Sequence, residues 1–277
     1  YSTTKLWESL RFFCMKFNAL FVALIFPFIA PAQQSEKGGV AGRVDSLLEV
    51  ARLRTNENDL EGALAAVRTA ESLTSDSLGT ENIIYGNVCS AYGKLLFDQE
   101  DLPKAKEWFL RSLELKHKFL GRDHVACVND LISLGLLYLN LGDFMASEPL
   151  MIEAKNIAQA QAGKTDMLYV RSTVNLSNIY AAMGEVEKVE PLLLEVKEMF
   201  DSGLLDKKHI GYAICLNNLG NHYTGLRLFQ KAEPLLIQGA EIVKNDFGED
   251  HPEYARRLGN LANLYLNMYQ LKTAQSL

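Results

Sequence analysis

The chain has 277 residues, of which 48% are hydrophobic and 22% charged, with a net charge of −6. That balance is ordinary for a folded soluble protein. It lacks the basic patch or stripe that nucleic-acid binding usually shows. The four cysteines, Cys14, Cys89, Cys127 and Cys215, form no C-x-x-C pair. They read as buried small hydrophobes and argue against a disulfide framework.

In chain order, residues 1–14 (YSTTKLWESLRFFC) read as sequence lying upstream of the true start. Residues 15–32 then have the order of a secretory signal: a basic Met15-Lys16, an apolar run from Ala19 to Phe26, and Ala30-Pro31-Ala32 as the cleavage site. The apolar run is short for a bilayer span. The expectation is therefore an exported chain, periplasmic or extracellular, that starts at Gln33 and keeps no stable membrane span. Residues 33–42 (QQSEKGGVAG) are small and polar and read as a flexible linker.

From residue 43 to 277 one pattern recurs. Ala63, Ala105, Ser147, Val189, Ala232 and Ala274 follow one another at steps of 42, 42, 42, 43 and 42 residues. Three residues before each stands an apolar side chain: Leu60, Leu102, Phe144, Val186, Phe229 and Leu271. Tyr138, Tyr180, Tyr223 and Tyr265 stand nine residues before four of these anchors. A fixed period of this length marks a solenoid. In the fifth copy Leu216, Leu219, Gly220 and Tyr223 form one apolar stripe at helical spacing, and Phe229, Ala232, Leu236, Gly239 and Ala240 form a second. Each unit is thus helix, tight turn, helix, with Gly220 and Ala232 at the closest approach of the pair. Gly142 and Gly184 stand where first helices end, as left-handed C-caps. The expected fold is all-α, a right-handed α-solenoid of five full units and a sixth cut at Leu277. That cut leaves Leu261, Leu264 and Tyr265 short of cover and the end prone to association.

Gly248-Glu249-Asp250-His251-Pro252-Glu253-Tyr254-Ala255, Leu258-Gly259-Asn260-Leu261-Ala262-Asn263-Leu264-Tyr265, Leu216-Asn217-Asn218-Leu219-Gly220 and Lys231-Ala232-Glu233-Pro234-Leu235 resemble the tetratricopeptide repeat. The nearest form is the long repeat of kinesin light chains. The likeness covers about residues 43–277 and is weaker in the first two units. Arg54, Leu96, Ser147 and Val189 depart from it, and with them the local packing. In exported or large bacterial proteins such repeats resemble the part that precedes a caspase-like peptidase in CHAT-domain proteins. On that likeness any catalytic His and Cys would lie beyond Leu277.

No P-loop, G-x-S-x-G or H-E-x-x-H is present. No catalytic residue, metal site or cofactor is expected. His124, His209 and His251 lie between units, and the first and last are three periods apart, which suits capping of the next helix better than catalysis. His222 lacks a ligand partner at helical spacing, and His117, between Lys116 and Lys118, reads as solvated.

Asparagine is more informative, being a mediocre helix former that clusters on first helices. Arg171, Asn175 and Asn178 share a face in the fourth unit; Asn217, Asn218 and Asn221 in the fifth; Arg256, Asn260, Asn263 and Asn267 in the sixth. In tetratricopeptide repeats the first helices line the concave groove. Two readings stand open: these residues bind the backbone of an extended peptide, or they form a ladder between neighbouring helices. The function read from the chain is a non-enzymatic scaffold for a protein or peptide partner. Its rivals are the docking or sensor region of a CHAT-type peptidase, and the repeat region of a membrane-linked kinase or transcriptional regulator.

Overall fold

A computed structural model describes residues 30–270 together with 273, 274 and 276. The extension at 1–14 and the signal expected over 15–32 lie outside these residues, apart from Ala30, Pro31 and Ala32. Among the described residues there are eleven α-helices and one short 3-10 turn. None of these helices is long and apolar enough to cross a membrane.

The helices alternate as first and second members of pairs: α1 (Ala30–Asn56) and α2 (Leu60–Leu78), α3 (Ile83–Asp98) and α4 (Leu102–Leu120), α5 (Val128–Asn140) and α6 (Phe144–Gln161), α7 (Met167–Met183) and α8 (Val186–Asp201), α9 (Ile210–Gly225) and α10 (Phe229–Phe247), then α11 (Pro252–Asn267). Leu60, Leu102, Phe144, Val186 and Phe229, the apolar residues singled out by the period, are each the first residue of a second helix. The small anchors Ala63, Ala105, Ser147, Val189 and Ala232 are all buried. Residues 33–42, expected as a linker, are instead helical and belong to α1. Gln33, Gln34, Glu36, Lys37 and Ala41 are good helix formers, and a helix formed downstream extends over them at one hydrogen bond per residue.

The turn inside each unit is built the same way. One residue per unit has positive φ: Asn58, Glu100, Gly142, Gly184, Arg227 and Tyr269. Gly142 and Gly184 meet the expectation of left-handed C-caps; elsewhere a residue with a Cβ takes the same conformation under strain. Asp59, Asp101 and Asp143 then cap α2, α4 and α6, each carboxylate accepting from a backbone N–H three residues on. Between units the cap is Asn82, His124, Asp166, His209 or His251, again at the repeat period. Nδ1 of His124, His209 and His251 accepts from Ala126, Gly211 and Glu253 N–H at 3.1, 2.9 and 3.1 Å.

The chain divides into two compact units, Tyr1–Ala91 and Tyr92–Leu277, the division falling within α3. In the first, α1 packs along α2, burying Val44, Ala51, Ala63, Val67 and Ala70. Arg54, one of the departures from the repeat pattern, reaches the capping Asp59 at 2.7 Å. In the second unit a continuous core runs from Leu96 to Leu264. Its helix pairs close on small residues. A Cβ on Gly220 would stand 2.6 Å from Leu236 Cγ, and one on Gly93 2.7 Å from the Phe109 ring. Ser147 fits its anchor position by donating its hydroxyl to the Gly135 carbonyl at 2.6 Å, and Val189 is simply buried.

Candidate functional site

Within the second unit the first helices of successive repeats touch: α5 with α7, α7 with α9, α9 with α11. Among the described residues, second helices of successive repeats make no such close backbone approach; α6 and α8 meet through long side chains, Lys155 Nζ lying 3.8 Å from Glu195 Oε2 and Lys188 Nζ 4.0 Å from Glu148 Oε1. Closer spacing on one side bends the stack toward that side, so first helices line its inner face and second helices its outer face.

The inner face carries the asparagines, and they reach between helices. Asn218 Nδ2 on α9 donates to Asn178 Oδ1 on α7 at 2.8 Å. Asn260 Nδ2 on α11 donates to Asn217 Oδ1 on α9 at 2.6 Å. Arg171 on α7 donates through Nη2 to Asn129 Oδ1 on α5, one full period earlier. The three contacts join four consecutive first helices. Asn129, one period before Arg171, was missed in the sequence because the third unit has Ser133 and Leu136 where later units have asparagine.

The candidates do not all behave alike. Asn217 is 3% exposed and its Oδ1 accepts from Asn260, so it serves the ladder and not an open surface. Asn175, Asn178, Asn218, Asn221 and Asn260 are half-buried, and Arg171, Arg256, Asn263 and Asn267 are exposed. Arg256 is engaged by Glu253 at 2.6 Å, and Asn267 donates to the Asn263 carbonyl at 2.8 Å. An asparagine side chain offers two donor hydrogens and an acceptor oxygen with two lone pairs. Each rung uses one donor of one residue and one lone pair of the other, which leaves amide valences directed along the face.

A second ladder ties repeats through tyrosine. Tyr223 Oη donates to Glu190 Oε1 at 2.6 Å and Tyr265 Oη to Glu233 Oε1 at 2.8 Å, in each case from a first helix to the preceding second helix. Burial first, and the acceptor carboxylate second, push the Tyr223 hydroxyl up to about 12. Lys188 and Lys231 lie over the Tyr180 and Tyr223 rings at 4.5 and 5.1 Å.

Among the described residues an ion pair is buried at both ends. Lys116 Nζ on α4 lies 2.6 Å from Asp130 Oδ2 on α5, and Ser112 donates to the same oxygen at 2.7 Å. Arg257, three periods after Asp130, is 1% exposed with Nε and Nη1 unbonded, and burial draws its pKa down to about 10. Cys89, Cys127 and Cys215 are buried. His222 is half-buried beside Tyr223, and burial lowers its pKa. Unlike the solvated residue expected, His117 is half-buried, with a sequestered Nε2. No group of three or more His, Cys, Asp or Glu able to hold a metal occurs among the described residues.

Residues 211–277 match the family model described as tetratricopeptide repeat. No curated protein matches the sequence. Among solved structures, the chain is similar to nearly identical TPR-like repeats of a putative kinesin light chain from Podosopora anserina, at 19% identity and a TM-score of 0.61, over 74% of this chain and 96% of that one. It is similar to BtubC (BKLC) from P. vanneervenii, at 17% identity and a TM-score of 0.58, over 88% and 87%. It also resembles a STAND protein with a tetratricopeptide repeat sensor from Pyrococcus horikoshii, at 16% identity and a TM-score of 0.61, over 85% of this chain and 36% of that one. What these likenesses carry is the fold: the chain is an α-solenoid of tetratricopeptide-type helix pairs, with the repeat's own sequence signature matched over residues 211–277.

Proposed function

We propose that the inner face of the second unit binds an extended polypeptide segment and that the chain acts as an interaction scaffold. The observation that carries the reading is the ladder Asn129–Arg171, Asn178–Asn218, Asn217–Asn260. It holds side-chain amides in fixed orientation across four helices, so little rotamer entropy remains to be lost when a peptide backbone docks. Solenoids of stacked repeats present such extended concave surfaces. Asn175 and Asn221 lie on the same face beside the rungs and are the residues proposed to meet the ligand backbone.

Selection of binders from a random peptide library on the full chain tests this. Selected peptides should lose affinity by about tenfold or more with Asn175→Leu plus Asn221→Leu, the loss of about two net hydrogen bonds, at unchanged thermal stability. Binding that survives both substitutions would leave the asparagines as inter-repeat fasteners only. Export remains a separate proposal on residues 15–32, checked by N-terminal sequencing of secreted material: a start at Gln33 supports it, and an intact Met15 removes it.

A further inference from the structure

At one level of the stack, polar side chains fill a place that later repeats give to small or apolar ones. Ser112, Lys116 and Asp130 meet between α4 and α5. At the following periods the places of Ser112 and Lys116 are taken by Ala154 and Ala158, then Val196 and Phe200, then Gly239 and Val243. His117 stands next to this pair in the chain. It is half-buried, and its Nε2 is shut off from solvent with no hydrogen-bond partner among the described residues.

Charge reaches the ring from every side. Lys116 and Lys118 flank it on α4, Arg122 and Asp123 come from the loop after α4, Asp130 from α5 and Glu153 from α6. Asp130 is already held by Lys116 and Ser112, and Glu153 is half-buried and in no ion pair among the described residues. Cys127, on the 3-10 turn, stays a neutral thiol because burial pushes it up. A neutral imidazole that carries its hydrogen on Nδ1 leaves Nε2 as a bare lone pair. Protonation turns Nε2 into a charged donor without an acceptor, in a seam that already buries an ammonium. Burial first, and Arg122 second, lower the pKa of His117 against the upward pull of Glu153, Asp130 and Asp123. With the folded pKa below the unfolded one, stability is complete above the ordinary imidazole value and is lost as pH drops below it.

We propose that the junction of α4, α5 and α6 is a proton-responsive element, in which uptake of a proton by His117 loosens the seam that Lys116 and Asp130 close. Asn129, the residue beside Asp130, accepts from Arg171 and is the first rung of the inner-face ladder. Acid thus slackens the ladder at that rung and weakens its grip on a peptide, a consequence that rests on the peptide reading above.

Urea unfolding of the full chain at pH about 7.5 and about 5.5, within the span where imidazole changes charge, reads the element. The midpoint should fall further with acid in the unaltered chain than in His117→Gln, which keeps every other histidine and carboxylate. Equal falls overturn the proposal. Arg122→Gln, at an exposed residue, gives a second reading that does not depend on His117→Gln folding. Removing that cation eases protonation, so the fall should shrink; an unchanged or larger fall overturns the proposal. In proton NMR the Cε1–H resonance missing from His117→Gln should titrate below the ordinary imidazole value, and titration at or above it overturns the proposal. A selected inner-face peptide should lose affinity with acid by a larger factor on the unaltered chain than on His117→Gln. A midpoint difference without that loss removes the link to the groove, and failure to select any peptide counts against the peptide reading alone.

Discussion

Two glycines in helix interiors offer a comparison in which helix propensity cancels. Gly220 on α9 and Gly259 on α11 both lose a Gly penalty of about 1 kcal/mol when replaced by alanine. A Cβ on Gly259 meets nothing within 4 Å. A Cβ on Gly220 would stand 2.6 and 2.7 Å from Leu236 Cγ and Cδ2 and 3.4 Å from the Ala232 carbonyl. Leu236 is 1% exposed, so it has little room to yield. Overpacking of this kind costs about 1–3 kcal/mol. Gly259→Ala should therefore stabilise by about 1 kcal/mol. Gly220→Ala should come out neutral to about 2 kcal/mol destabilised once the propensity gain is subtracted. The measurement is urea unfolding followed by circular dichroism on the full chain, comparing midpoints at equal slope. The difference between the two variants is the packing term alone. If Gly220→Ala proves as stable as Gly259→Ala, the close approach of α9 and α10 does not constrain the fold, and the reading of the small-residue column fails.

Asp130→Ala leaves the Lys116 ammonium buried without its partner and should destabilise by about 3–5 kcal/mol, while Lys116→Met with Asp130→Leu should recover most of that loss in the same urea assay. His209→Ala removes the cap of α9 and should cost about 1 kcal/mol, with His209→Asn restoring it. Arg227→Gly relieves a positive φ that costs about 1–2 kcal/mol, against about 0.5–1 kcal/mol of added unfolded-state entropy, and should raise the melting temperature; a lower one refutes strain at this turn. Tyr223 should ionise near pH about 12, not its ordinary value, seen as a tyrosinate absorbance step missing from Tyr223→Phe. Because its folded pKa is raised, its stabilising contribution is complete below pH about 10 and is lost as pH climbs toward 12.

The helix ends were readable because the period carries its own punctuation. The apolar residue at the start of each second helix and the small residue three later are both steric requirements, so they recur with little freedom. The histidines between units were readable as caps for the same reason. The inner face was legible only in part. Helical spacing put Asn217 beside Asn218 among the candidates, but one step of about 100° moved it from the open face into the seam. Asn129 escaped because a ladder member in one unit need not be asparagine in the next. The segment 33–42 misled because composition says little about whether a neighbouring helix continues through it.

Asp130, Ser172, Cys215 and Arg257 occupy one position in four successive repeats, and all four are buried. A stack of near-identical units could in principle pair out of order, each first helix settling on the wrong second helix. Here the mismatch would be chemical. Moving Asp130 one period along would set it against Ala158 in place of Lys116, and a carboxylate would be interred with nothing to neutralise it. That interface thus carries its own address, which disfavours a pairing shifted by one repeat at α4 and α5.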